Sequence, residues 1–134
     1  MSKRTLVDTN LIVRFLVQDH KNHAKAAAKL FDACDRGELM IVLLPAVLAE
    51  CVFVLESFYE HSRGDIASAL GTLISSPGVE INEAAIHLDA LHRYRKTKVH
   101  FVDCMIAATA SAKSTPVASF DQDFGKFPDV RVEI

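Results

Sequence analysis

The feature that most constrains the fold of this 134-residue chain is the alternation of short apolar runs with longer segments of helical periodicity. Runs of this length are typical of buried parallel strands, and helical segments follow most of them. Short strands joined by helices require a sheet that is covered by helices on both faces. The sequence therefore predicts an α/β protein, a three-layer α/β/α sandwich around a central, mainly parallel sheet of about five strands.

The predicted elements are bounded by turn and capping residues. Strands are predicted in TLVD at 5–8, ELMIVLLP at 38–45, VEI at 79–81, TPVASF at 115–120 and VRVEI at 130–134. Helices are predicted at 10–18, 22–36, 45–59, 64–76, 83–96 and 102–113. Asn22 and Asn82 are suitable helix caps, Gly37 is a suitable stop, and Pro45 can begin a helix. No repeat or linker interrupts this pattern, so we expect residues 1–134 to form one domain.

Composition excludes several classes of protein. Half of the residues are apolar and 24% are charged, which is typical of a globular chain. No apolar run is long enough to cross a bilayer, and the N-terminal MSKRTLVDTN lacks the apolar core of a signal peptide. Cys34, Cys51 and Cys104 are widely spaced, which favours core thiols in a reducing compartment over a disulfide or zinc framework. We therefore expect a cytoplasmic protein with no membrane partner.

The charge pattern limits how the chain could bind a polyanion. A net charge of −2 gives no overall attraction to nucleic acid, so a local basic patch or a bound metal would be needed. The stretch RYRKTK offers a candidate RNA-binding patch, consisting of Arg93, Arg95, Lys96 and Lys98. A solvated helix end is the alternative, because Lys and Arg are favourable at helix C-termini.

Several acidic residues are predicted to lie where a parallel sheet binds its ligands. Asp8 ends the first strand, and Glu50 follows the second. Because ligands of such sheets bind beyond the carboxyl ends of the strands, these side chains can converge. The candidate site consists of Asp8, Glu50, Asp103 and Asp121, with Asp123 as a fifth acid and the hydroxyls of Thr9 and Ser119 beside them.

Each acid has a structural alternative when it is considered alone. Asp8 can cap the helix that follows it, and Asp103 suits a first helical turn. Asp121 and Asp123 are typical turn residues. Glu50 is the hardest to explain in this way, because residues 46–49 and 51–55 are apolar and most faces of its helix are expected to be buried.

Taken together, the acids indicate a metal site. Two carboxylates about 4 Å apart repel by roughly 4 kcal/mol at an effective dielectric near 20. Hard oxygen ligands without convergent His or Cys favour Mg²⁺ or Mn²⁺ over zinc. The matching chemistry is metal-assisted hydrolysis of a phosphodiester, with Asp8, Glu50, Asp103 and Asp121 as catalytic and metal-binding residues.

Two other functional classes also place acids at strand ends. A phosphoryl-transfer domain of the dehalogenase type needs a second Asp where this chain has Asn10, and a receiver-type domain needs a Lys for which Lys113 and Lys126 are poor candidates. A non-catalytic regulator that binds RNA or a partner on the same fold would be expected to have lost an acid. The nucleotide-binding and serine-hydrolase motifs are absent.

Four blocks of the sequence resemble the PIN-domain nucleases. The blocks are VDTNLIVRFL, LPAVLAECVFVLES, HFVDCMIAATA and VASFDQDF, and the chain length is similar to that of VapC-type toxins of bacterial toxin–antitoxin pairs. The resemblance implies that the metal-site acids are Asp8, Glu50, Asp103 and Asp121, with Asp123 less constrained. Thr9 and Asn10 match the polar residues after the first acid. Ser119 replaces a frequent Thr, and His100 stands where many relatives carry another acid.

The resemblance also has implications for activity and partners. It implies single-stranded RNA as the substrate, cleavage by an endonuclease with Mg²⁺ or Mn²⁺ as cofactor, and a homodimer. It further implies inhibition by a co-encoded antitoxin protein. Composition and periodicity alone indicate none of these properties.

Overall fold

A computed structural model of the chain describes residues 3–134. Over this range the chain forms six α-helices, five short β-strands and one 3₁₀ helix. The strands are β1 (Lys3–Leu6), β2 (Leu39–Val42), β3 (Val79–Glu80), β4 (Val117–Ala118) and β5 (Val132–Glu133). The helices are α1 (Thr9–Val17), α2 (Lys21–Asp35), α3 (Pro45–Ser57), α4 (Arg63–Ser75), α5 (Ala84–Lys96) and α6 (Phe101–Ala112), and the 3₁₀ helix is Gln122–Lys126. None of the helices in this range has the length and apolarity that a membrane span requires.

The first of two compact units, Met1–Ala84, contains a three-stranded parallel sheet in the order β1-β2-β3. Helices α1 and α2 connect β1 to β2, and α3 and α4 connect β2 to β3, which is the arrangement that parallel neighbours require. Its most deeply buried large side chains are Ile12, Ile41, Leu43, Leu48, Leu55, Ile66 and Leu70. This core supports the loops that follow β1 and β2.

The second unit, Ala85–Ile134, contains most of α5, all of α6, and the parallel pair β4-β5. Tyr94 on α5 contacts Phe101 on α6 edge to face, with the ring centroids 5.7 Å apart. The small residues Cys104, Ala107 and Ala108 are fully buried along α6. The loop between β4 and β5 contributes Phe124 and Phe127 to the core of this unit.

The α/β class and the parallel pairing of the strands are confirmed, but the size of the sheet is not. All five predicted strands are present in the described residues, and they form a three-stranded and a two-stranded sheet. Strands β3, β4 and β5 have two residues each. Such short strands have few backbone groups with which to extend a hydrogen-bonded ladder.

Two predicted helix caps were wrong. At the start of α2, His20 replaces Asn22 as the cap, and its Nδ1 accepts a hydrogen bond of 3.1 Å from the backbone N–H of His23. Helix α5 begins immediately after Glu83, whose φ of 54° breaks the helical conformation, so Asn82 does not directly precede it. The predicted start of α3 at Pro45 is confirmed.

Gly78, which directly precedes β3, occupies a position that only glycine fits without strain. Its φ is +88°, and a Cβ atom there would lie 2.7 Å from the Sγ and 3.2 Å from the carbonyl oxygen of Cys34. A side chain would therefore be strained both by its backbone conformation and by this contact. Glycine at this position allows the chain to enter β3 close to the end of α2.

Candidate active site

Asp8 lies between β1 and α1 and is exposed. Its Oδ1 accepts a hydrogen bond of 2.9 Å from the backbone N–H of Leu11, so Asp8 caps α1. The capping alternative is therefore present in the structure. It does not exclude a second role, because an ionised carboxylate has acceptor positions for several partners.

Glu50 lies on the second turn of α3, and the expectation that it would be buried was wrong. The buried face of α3 consists of Leu48, Cys51, Val52 and Leu55. Glu50 is exposed, and Phe53 on the same helix is 54% exposed. An exposed carboxylate needs no partner, so a role for Glu50 depends on what lies beside it.

The pKa of the Cys51 thiol is affected by two acids of the first unit, Glu50 and Asp8. Cys51 is fully buried, and the pKa of its thiol is raised to about 12. Burial is the main cause, and the negative charges of Glu50 and then Asp8 contribute to the same rise. The charges of both carboxylates thus act on the same sulfur, although Asp8 and Glu50 are 42 positions apart in the sequence.

Asp103 belongs to an acidic cluster in the second unit. It lies in the first turn of α6 and is half-buried. Burial is the main cause that raises the pKa of its carboxyl, followed by the negative charge of Asp121. Asp123 acts in the same direction, whereas His100 opposes it. The charges of the two other acids that the sequence predicted from this half of the chain thus reach Asp103, although the three form no group arranged around a common metal position.

The loop that carries Asp121 and Asp123 is held by local hydrogen bonds. The Ser119 Oγ accepts a hydrogen bond of 2.9 Å from the backbone N–H of Asp121. The Asp121 Oδ1 in turn accepts one of 2.8 Å from the backbone N–H of Asp123, which caps the 3₁₀ helix. The Asp123 carboxylate also pairs with the Lys126 ammonium at 3.2 Å. Asp123 thus already has a cationic partner within the chain.

His100 has a structural role that the sequence analysis did not identify. Its Nδ1 accepts a hydrogen bond of 3.3 Å from the backbone N–H of Val102, so it caps α6. Ser, Thr, Asp and Asn are the usual residues at this position, and His is not a recognised signal. The second histidine cap, at His20, was missed for the same reason.

The structure separates Arg93 from the rest of the basic stretch. The Arg93 side chain is 11% exposed, pairs with Asp89 at 3.0 Å, and donates two hydrogen bonds to the Asp129 carboxylate. Its guanidinium carbon lies 5.3 Å from the centre of the Phe127 ring. These contacts indicate a structural role for Arg93, so an RNA contact stays a prediction chiefly for the exposed residues Arg95, Lys96 and Lys98.

A mainly apolar groove of about 640 Å³ lies along α6 in the second unit. Val102 and Ile106, which are 43% and 41% exposed, form part of its lining. Asp103 and Ser119 also line it, so the groove reaches the acidic cluster. Any molecule bound at these acids would have apolar surface next to it.

The donor atoms fit a hard divalent cation. Within each unit, over residues 3–134, His, Cys, Asp and Glu side chains form no group of three or more that is arranged around a common metal position. The candidate donors are nevertheless all carboxylate or hydroxyl oxygens, as Mg²⁺ and Mn²⁺ prefer. Cys51 is next to Glu50 in the sequence, but it lies on the buried face of α3, whereas Glu50 is exposed.

Parallel strands followed by carboxylates, with oxygen donors alone, are features of a nuclease-type α/β protein. Residues 5–130 match the PIN domain, and the chain belongs to the PIN-domain family. PIN domains have a nuclease-type fold and are generally metal-dependent RNases. No curated protein matches the chain significantly. The phosphoryl-transfer and receiver-type alternatives have no support from the family match.

Proposed function

We propose that this protein is a metal-dependent endoribonuclease that hydrolyses phosphodiester bonds in single-stranded RNA. The observation that carries the proposal is the family match over residues 5–130, because this range contains all of the candidate acids. The match also runs across both compact units. We therefore propose that residues 1–134 form one nuclease domain to which both units contribute.

The proposed metal ligands are Asp8, Glu50, Asp103 and Asp121, with Asp123 as a further candidate. A bound Mg²⁺ or Mn²⁺ would acidify an attacking water and neutralise charge on the phosphate. Two of these carboxylates are oriented by hydrogen bonds within the chain. The backbone N–H of Leu11 orients the Asp8 carboxylate, and the backbone N–H of Asp123 orients the Asp121 carboxylate. Thr9 and Asn10 in the first turn of α1 and the Ser119 hydroxyl are proposed as supporting polar groups.

We further propose that the protein is the toxin of a type II toxin–antitoxin pair and is inhibited by a co-encoded antitoxin protein. This proposal is supported by the four sequence blocks that resemble PIN-domain nucleases, together with a chain length similar to that of VapC-type toxins. A homodimer and a cytoplasmic location belong to the same proposal, and three buried cysteines that form no disulfide suit a reducing compartment. A short antitoxin reading frame directly upstream of the gene, together with a dimeric mass in solution, would test it.

The test of the enzymatic proposal is cleavage of a circular single-stranded RNA. We expect the purified protein to linearise the circle in Mg²⁺ or Mn²⁺, to be inactive in EDTA, and to recover when metal is restored. A circular substrate has no ends, so its cleavage requires an endonuclease, and a gel separates circles from linear products. A protein that binds the RNA but leaves it intact with every divalent metal would be a non-catalytic regulator.

The basic stretch supports a second prediction. If Lys96 and Lys98 bind phosphates, the double change to Ala should flatten the salt dependence of RNA binding by roughly 1.4 slope units, about 0.7 for each lost contact with a single strand. Binding is measured in EDTA, where no cleavage is expected. Changing Lys25 and Lys29, which are exposed on α2, to Ala is the control. Equal slopes for all three proteins would mean that the stretch is a solvated helix end.

A further inference from the structure

We propose that Phe120 is an RNA-binding residue, a ring on which one nucleobase of the substrate stacks beside the acids of the second unit. This inference rests on the proposed ribonuclease function, and it adds a contact with the base to the proposed contacts with the phosphate. The Phe120 side chain is almost fully exposed and so contributes little to the packing of the fold.

Phe120 is 90% exposed, the highest value among the exposed large apolar side chains of residues 3–134. A single exposed Phe is not unusual by itself. Its position is what matters here, since it lies between Ser119 and Asp121, two residues of the candidate site. The ring is therefore presented to solvent within one residue of a proposed metal ligand.

The backbone around Phe120 is fixed before any ligand arrives. The hydrogen bond from the Asp121 N–H to the Ser119 Oγ closes a tight turn around Phe120, and the Asp121 carboxylate then caps the following 3₁₀ helix. A Phe side chain has only two rotatable bonds, so little conformational entropy is lost when its ring is covered. Such a ring is a preorganised contact.

The charge of the loop favours a base over a phosphate as the partner of this ring. Asp121 and Asp123 are acidic and repel phosphate in the absence of a cation, whereas the face of a nucleobase is neutral. Single-stranded RNA offers unstacked bases, and aromatic side chains are their common platforms. Stacking on a phenyl ring involves no hydrogen bond to a base edge, so Phe120 should contribute affinity and position but not base selection.

A partner protein fits this ring less well. Protein interfaces have contiguous apolar cores. The residues that follow Phe120, Asp121 and Gln122, are polar and exposed, and the apolar groove along α6 has Ala118 and Ser119 but not Phe120 in its lining. A single ring outside this groove and followed by polar groups matches the face of one base more closely than it matches an apolar protein surface.

The chain contains no Trp, so Phe120→Trp would introduce a fluorophore at this position alone. We expect its emission to be quenched when a short single-stranded RNA is added in EDTA. An abasic ribose-phosphate strand of the same length should not quench it. The matched control is Lys29→Trp, at an exposed position on α2 in the first unit, and its emission should not respond to either strand.

Kinetics supply the second measurement. Phe120→Ala should raise the KM for RNA by about 5- to 30-fold and change kcat by less than about twofold, whereas Phe120→Tyr should retain the wild-type KM. An unchanged KM for Phe120→Ala, with no quenching of Phe120→Trp, would overturn the stacking role and leave the ribonuclease function standing. A shift of Phe120→Ala from dimer to monomer without any effect on RNA would also overturn it, in favour of a protein contact. Failure of the wild type to cleave RNA would overturn the ribonuclease function itself.

Discussion

Asp103→Asn is expected to reduce RNA cleavage at least about 100-fold in Mg²⁺ or Mn²⁺, because it removes one charged ligand from the proposed metal site. The substitution preserves the shape of the side chain, and Asn tolerates a helix end, so the fold should be retained. The measurement is the single-turnover cleavage rate of one RNA at saturating metal. Asp8→Asn should have a similar effect, and Asn can still accept the capping hydrogen bond from Leu11.

Two controls separate a catalytic loss from a structural one. Asp32→Asn neutralises an exposed acid on α2 and should retain the wild-type rate. In EDTA, Asp103→Asn should melt no lower than wild type, because it relieves repulsion by Asp121 and Asp123. Full activity in Asp103→Asn would remove this residue from the mechanism, and a lower melting temperature with weak activity would make it a structural residue.

Arg93→Met is expected to lower the free energy of unfolding by about 2 to 3 kcal/mol, and the Tm by roughly 6–12 °C. The change removes the cation that Asp89 and Asp129 share and the contact with Phe127. The loss should be smaller than for a fully buried pair, because the Asp129 side chain is 47% exposed and screened by solvent. Thermal and urea melts provide the measurement.

Lys96→Met is the matched control, since it removes an exposed charge three residues further along α5. Its effect should be within about 0.5 kcal/mol of zero. If both variants lost the same stability, the ion pairs of Arg93 would contribute nothing specific. Arg93→Met should also be tested for RNA binding, because a selective loss of binding in a stable variant would contradict the structural assignment.

The stability difference between wild type and Arg93→Met should depend on pH if it arises from the ion pair with Asp129. The hydrogen bonds from Arg93, and next that from the Ser111 hydroxyl, hold the pKa of Asp129 well below its ordinary value. A carboxyl with a lowered pKa in the folded state stabilises the protein above its unfolded pKa, near 3.9, and that stabilisation is lost as the pH falls towards the folded pKa. The stability gap between wild type and Arg93→Met should therefore be constant near neutral pH and narrow below about pH 4.

Much of the fold follows from local signals. Hydrophobic periodicity and the turn residues predict the bounds of the helices to within a few residues. Pro45 begins α3 because its ring suits the first helical position. The division of the strands into two sheets could not be predicted, because pairing of two-residue strands depends on contacts distant in sequence. The caps at His20 and His100 depend on which ring nitrogen accepts a hydrogen bond, and a sequence does not specify that.

The candidate site divides in the same way. The sequence predicts that Asp8 ends the first strand, and the structure places it two residues after the end of β1. The predictions that Asp103 opens a helix and that Asp121 follows the next strand are confirmed. The prediction fails for the environment of Glu50, because an apolar run does not reveal which helix faces have partners, and Phe53 on the same helix is largely exposed. The sequence also does not reveal the structural role of Arg93, because its partner Asp129 lies 36 positions away.

The burial of the three thiols makes them native reporters of local opening. Cys34 and Cys51 lie in the first unit and Cys104 in the second, and all three are buried thiols that form no disulfide. A buried thiol reacts with an alkylating reagent only after the chain opens around it, and the raised pKa of Cys51 further lowers the amount of its reactive thiolate. Alkylation rates read by mass spectrometry would then give separate opening free energies for the two units, without any engineered label.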